Sequence, residues 1–173
     1  SGISPANHKT FVLKNNTSFS NAAFFSDIGA TASVFEKITV EGTVTVDANS
    51  QLNFAPMGGY VPALGDSFKI IDNDGTSDAV TGTFFGKAEG ATITNFAGTS
   101  LNARITYLGG DGNDVVVTVQ NIAPVITSNG GGATGSISVA ENTTAVTTVT
   151  FTDPDAPQTK TYSKSGPDAA LFN

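Results

Sequence analysis

The residues from Ala103 to Val119 leave this chain little choice of local structure. Ala103-Arg104-Ile105-Thr106-Tyr107 alternates small or apolar side chains with polar ones, and Val115 to Val119 is β-branched throughout. Both runs favour a pleated strand. Between them, Gly109, Gly110 and Gly112 stand among Asp111, Asn113 and Asp114. Glycine supplies positive φ angles and Asx side chains bond the nearby backbone, which together reverse a chain. The expectation is an antiparallel hairpin. The same composition is that of a calcium loop, and this double meaning frames the functional question.

Elsewhere the pattern is also β. Ile38, Val40, Val44 and Val46 share one face against Thr39, Glu41, Thr43, Thr45 and Asp47, a period of two. Asp47-Ala48-Asn49-Ser50 turns the chain, after which Leu52 and Phe54 resume the inward positions. A strand, a short polar turn and a strand opening Leu-x-Phe is how one coil of a right-handed β-solenoid reads. Coils bury their apolar face only by stacking on neighbours. At most two coils can be counted, so a true solenoid is expected to continue before Ser1. An antiparallel β-sandwich is the alternative for this part. Upstream, Thr10-Phe11-Val12-Leu13 forms a short strand, Lys14-Asn15-Asn16-Thr17 a turn, and Phe19, Phe24 and Phe25 are candidates for packing. Further runs at Phe68–Ile71, Thr81–Phe85 and Ala91–Phe96, separated by Gly or Asx turns, complete an all-β reading. No window longer than a turn carries a helical period.

The best boundary lies at Val119-Gln120-Asn121-Ile122-Ala123-Pro124, where proline removes a ladder donor and holds its predecessor extended. This divides the chain into residues 1–119 and residues 120–173. In the second part Ser136–Asn142 and Val146–Phe151 alternate, Asp153-Pro154-Asp155 turns, and Thr161-Tyr162-Ser163-Lys164 opens another strand. A few strands with one apolar face are marginal on their own. Val139, Val146, Val149, Phe151, Tyr162, Leu171 and Phe172 would lack a partner sheet unless they pack on residues 1–119 or on a second chain.

The totals exclude several classes. A net charge of −7 with no basic cluster argues against nucleic acid. With no cysteine there is neither a disulfide frame nor a thiolate metal site. No apolar run approaches the roughly 18 residues of a membrane helix, so membrane insertion is not expected. Only 13% of residues are charged, while Thr, Ser, Asn and Gly abound, the profile of an extracellular or cell-surface β protein. Ser1-Gly2 opens and Phe172-Asn173 closes in mid-pattern, as in a piece of a longer chain.

Two resemblances follow from ordered landmarks. Gly65-Asp66-Ser67-Phe68, Gly82-Thr83-Phe84, Glu89-Gly90 and Tyr107 through Val115 stand in the order found in the closing module of bacterial autotransporter and filamentous-haemagglutinin-like β-helix proteins. Residues 62–119 resemble that module, which implies a surface-exposed, non-catalytic structural role. Ala123-Pro124-Val125-Ile126, Val139-Ala140-Glu141-Asn142, Thr152-Asp153-Pro154-Asp155 and Asp168-Ala169-Ala170-Leu171-Phe172 resemble the first half of a bacterial cadherin-like domain. That resemblance implies a Greek-key sandwich of which this segment is about half, and Ca²⁺ held by Glu141, Asp153 and Asp155 at a junction between successive domains. Where cadherins place acidic ligands before Ala-Pro, this chain has Thr118, Gln120, Asn121 and Ile122, which removes carboxylates from the near junction.

Three loops remain as chemistry. Gly109 to Val117 matches the calcium-binding nonapeptide G-G-x-G-x-D-x-U-x position for position, with Asp111 and Asp114 its acidic members. Carbonyls and carboxylates of successive turns share each ion in that motif, so one copy is half a site and a structural turn is the preferred reading. Asp72-Asn73-Asp74-Gly75-Thr76-Ser77-Asp78 opens like an EF-hand loop but has Thr83 where the twelfth-position glutamate belongs, and reads as an Asx turn. A Ser–His dyad could use only His8, in an unpatterned tail. No catalytic residue is assigned. The function expected is a non-catalytic structural or adhesion module of a large bacterial surface protein, stiffened by calcium. Its partners would be neighbouring domains, a second copy or a host-surface ligand. The alternatives are a self-assembling surface-layer or filament subunit, and a carbohydrate-binding or carbohydrate-active β-solenoid.

Overall fold

The computed structural model describes residues 10–29, 34–131, 134–143, 145–153, 155, 161–167 and 169–171. These residues are all-β, arranged in several sheets with none closed into a barrel; their only helical turns are 3-10 segments at Phe96–Gly98 and Ala169–Leu171.

The chain visits the same sheets in succession. β1 (Thr10–Leu13), β2 (Thr17–Phe19) and β3 (Ala23–Ile28) form a first circuit. β4 (Lys37–Val40), β5 (Val44–Val46) and β6 (Gln51–Pro56) form a second, and β7 (Ser67–Asn73) with β8 (Thr81–Gly82) begins a third. Pairing between circuits is parallel throughout: β1 with β4 with β7, β2 with β5 with β8, and β3 with β6. Thr10 lies opposite Lys37 and Thr17 opposite Val44, a return of 27 residues, and Ala23 lies opposite Gln51, a return of 28. Residues 10–28, whose pattern is weak in sequence, thus add a whole circuit. Stacking of β8 on β5 is close enough at one point to require glycine: a Cβ on Gly82, at φ +82°, would sit 2.0 Å from the Val46 carbonyl oxygen.

Alternation decides what each circuit buries. Ile38, Val40, Val44, Val46 and Leu52 are buried as the period of two predicts, and Phe54 packs on them half-buried. Phe19 and Phe24 also pack inward, whereas Phe25 is exposed. A chain of rings fills the interior, with Phe68 5.4 Å from Phe35 and 5.6 Å from Phe96, and Phe84 near Phe19 and Phe24. Burying each such side chain stabilises by roughly 1.5–3 kcal/mol.

An antiparallel unit closes the stack. β9 (Thr92–Ile93) pairs with β10 (Ala103–Gly109), which forms the expected hairpin with β11 (Asp114–Val119). β11 in turn pairs antiparallel with β7, giving one six-stranded sheet of order β1-β4-β7-β11-β10-β9. Register along β7 slips by one residue: Ile71 faces Val115 while Lys69 faces Val116, leaving Ile70 as the extra residue of a bulge. Both Ile70 and Ile71 are consequently buried.

Beyond β11 the second part forms much less regular structure than its alternation predicts. Among the described residues there, only β12 (Val125–Ile126) and β13 (Phe151–Thr152) pair, antiparallel. Ser136–Asn142 and Thr161–Lys164 carry no strand, and Ile137, Val139, Val146 and Val149 are exposed. Alternation sets which face a strand would present, but a strand also needs a neighbour for its N–H and C=O groups. Pro154, Phe172 and the Leu171 side chain lie outside the described residues.

Candidate functional site: the meeting of loop and hairpin

Two loops far apart in sequence meet at the end of β7. The bulge at Ile70 turns Lys69 and Asp72 to the same side, although simple alternation would separate them. Lys69 Nζ then lies 2.8 Å from Asp72 and 2.9 Å from Asp114, while Lys37 Nζ reaches Asp72 at 3.0 Å. The result is an alternating row Lys37–Asp72–Lys69–Asp114. Burial pushes the Asp72 carboxyl up, but hydrogen bonds from Lys69 and Lys37 outweigh it and hold it below its ordinary value of 3.8. Hydrogen bonds to Asp72, then to Asp114, raise the Lys69 ammonium.

Asp114, one of the calcium ligands named from the nonapeptide, is wholly buried. Its Oδ1 accepts the Asn73 backbone N–H at 2.9 Å and its Oδ2 faces Lys69. Gly110 lies directly against it. At φ +56°, a Cβ there would approach Asp114 Oδ2 to 1.8 Å, so the nonapeptide glycine makes room for the carboxylate. Asp111 stands exposed at the hairpin tip. The motif therefore turns one acid inward to tie the hairpin to β7 and the other outward.

Next to this row, Asn113 Nδ2 lies among the oxygens of the Asx loop: 3.0 Å from the Gly75 carbonyl, 3.4 Å from the Asp74 carbonyl, and 3.4 and 3.5 Å from Asp78 Oδ1 and O. Asn73 Nδ2 donates to the same Asp78 carbonyl at 2.6 Å. The EF-hand-like loop and the hairpin turn, read separately in sequence, form one constellation. Their residues are some 40 positions apart, and no local signal joins them.

The landmarks of the first resemblance also converge. Tyr107 Oη accepts the Phe84 N–H at 2.9 Å and donates to the Lys87 carbonyl at 2.8 Å, while Glu89 accepts the Tyr107 N–H at 2.7 Å. Burial raises the Tyr107 phenol to about 12, the Phe84 N–H opposes this, and Glu89 adds to it. Asp66 caps the entry by accepting from Tyr60 Oη and the Ala63 N–H.

The ligands carried over from cadherins are dispersed. Glu141 is exposed in a turn. Asp153 accepts the Asp155 N–H at 2.9 Å. Asp155 is buried; its carboxylate accepts from the Asn102 side-chain amide of the first part at 2.5 Å and from the Ile122 N–H at the boundary. Among the described residues no three His, Cys, Asp or Glu side chains converge as a metal cluster. His8 lies outside the described residues. No helix among the described residues is long and apolar enough to cross a membrane.

No protein-family model, curated protein or solved structure matches the chain.

Proposed function

We propose that this chain is a non-catalytic structural and adhesion module of a large bacterial surface protein. In this reading residues 10–119 are the end of a β-solenoid with its closing module, and residues 120–173 begin a cadherin-like domain. The observation that carries it is the parallel stacking of successive circuits, ended by the antiparallel β9–β11 unit. A stack of circuits is a rigid spacer, and such a cap turns an open sheet into a finished end. The Tyr107 clamp on residues 84–89 supports a role for the closing landmarks as fasteners of that cap.

Calcium acts in this reading at the cadherin-like segment, through Glu141, Asp153 and Asp155. Asp155 would exchange its bonds to Asn102 and Ile122 for the ion. Antibodies raised against residues 10–119 provide the test on the source bacterium. Labelling of intact cells supports a surface module, and labelling only after lysis refutes it.

Self-association is a second reading, favoured by β1. Among the described residues it forms an edge of the six-stranded sheet, and Phe11 and Val12 on it are each 52% exposed. An apolar edge of this kind templates pairing with another strand. Sedimentation velocity across a concentration series separates the two readings, since a single unchanging species would eliminate assembly through β1.

A further inference from the structure

We propose that the Asx loop and the hairpin together form a calcium site, with Asp74, Gly75, Asp78 and Asn113 as its ligands. This inference is independent of the surface-module reading and uses neither the cadherin-like acids nor the two aspartates of the nonapeptide.

The first observation is the crowding of acceptors on one atom. Asn113 Nδ2 has four oxygens within 3.0–3.5 Å: the carbonyls of Asp74, Gly75 and Asp78, and Asp78 Oδ1. An amide nitrogen carries only two protons. The Asn73 amide already serves the Asp78 carbonyl at 2.6 Å, which leaves three oxygens for the two protons of Asn113.

The second observation is independent of that geometry. Asn73 and Asn113 are each 2% exposed, and the Oδ1 atom of each is buried without a hydrogen-bond partner among the described residues. Buried carbonyl oxygens are ordinarily satisfied, so two orphans beside one cluster of acceptors require an explanation. The atoms at this point are nearly all acceptors, and what they lack in common is a positive centre. Lys69 does not supply it, because its ammonium is committed to Asp72 and Asp114.

A cation accounts for the crowding and for the Asn113 orphan; the Asn73 oxygen lies outside its ligand set. The amide oxygen and nitrogen of asparagine are nearly isosteric, and the terminal torsion is soft. Turning Asn113 over places its Oδ1 where Nδ2 now stands, within reach of an ion drawn in by the loop oxygens. The set is then three carbonyls, one carboxylate and one amide oxygen. Oxygen-only, carbonyl-rich and irregular ligation suits Ca²⁺, which takes six to eight oxygens and lets water complete the shell. Nitrogen and sulfur ligands for zinc or copper are missing from this cluster, and Mg²⁺ demands stricter octahedral geometry. Asp78 provides charge, and few carboxylates imply a weak site with Kd on the order of 10⁻⁴ M.

The test is a CaCl₂ titration of the full chain after EDTA treatment, followed by amide NMR and thermal denaturation. The expected result is saturable movement of the Gly75, Asp78 and Asn113 signals, including the Asn113 side-chain NH₂, with a rise in Tm. Asp78→Asn preserves shape and should weaken binding at least about tenfold. Asn113→Asp should lower Tm in EDTA and enlarge the rise on adding calcium. Asp111→Ala and Glu141→Ala should leave the titration of these signals unchanged. No movement up to about 10 mM calcium, roughly a hundredfold above the expected Kd, would overturn the proposal. So would movement confined to residues 111, 141 or 153, or an Asp78→Asn titration identical to that of the parent.

Discussion

Removing the Asp114 carboxylate separates a structural tie from a metal ligand. Asp114→Ala deletes a fully buried acceptor, so the Asn73 N–H that bonded it at 2.9 Å is left without a partner. A hydrogen bond to a charged acceptor contributes about 1.5–3 kcal/mol, and stranding the buried donor falls at the upper end of that range. The contact with Lys69 adds less, because its side chain is 39% exposed and keeps Asp72 at 2.8 Å; about 0.5–1 kcal/mol is appropriate. The expected loss is about 3 kcal/mol. Asp114→Asn keeps the Oδ1 acceptor and the volume, forfeiting mainly the ion pair, and should cost about 1 kcal/mol. Lys69→Ala reverses the asymmetry. It leaves a carboxylate buried with the Asn73 N–H as its named donor, a loss of about 3–5 kcal/mol. The double variant should then cost clearly less than the two single changes combined. Urea denaturation followed by circular dichroism, in EDTA, measures all four proteins. If Asp114→Ala stays within about 0.5 kcal/mol of the parent in EDTA and loses stability only when calcium is present, the carboxylate is a ligand and the tie is wrong.

Tyr107 should make the closing module sensitive to alkali. Its folded pKa of about 12 lies above the ordinary 10.0, so the associated stability is complete below pH 10 and disappears as pH rises towards 12. The full effect is roughly 2–3 kcal/mol. Tyr107→Phe should flatten that part of the stability–pH curve while lowering stability near neutrality; an unchanged alkaline slope contradicts the clamp. Asp155→Ala should release the second part from the first, since its bond to Asn102 ties the two together. Limited proteolysis should then cut residues 123–153 several-fold faster while residues 10–119 resist as before, and equal cutting rates in both proteins would show that the tie is not what holds this segment.

Local sequence determined the outline. The β-branched run Val115–Val119 and its Gly/Asx turn fold as the antiparallel hairpin, and Ile38, Val40, Val44 and Val46 fall inward. These features depend on φ preferences and on a two-residue period, both of which a short window contains. Tertiary structure decided the rest. It gave residues 10–28 their strands, because β1–β3 are marginal alone and become definite on β4–β6. It withheld strands from Ser136–Asn142, whose alternation is as clean but which pairs with no strand. It also placed the bulge at Ile70, which brings Lys69 beside Asp72 and Asp114, and it set Asn113 among the oxygens of Asp74, Gly75 and Asp78. A period can tell a side chain to face inward; which atoms await it there depends on register between strands some 40 residues apart, and register is fixed only when the circuits stack.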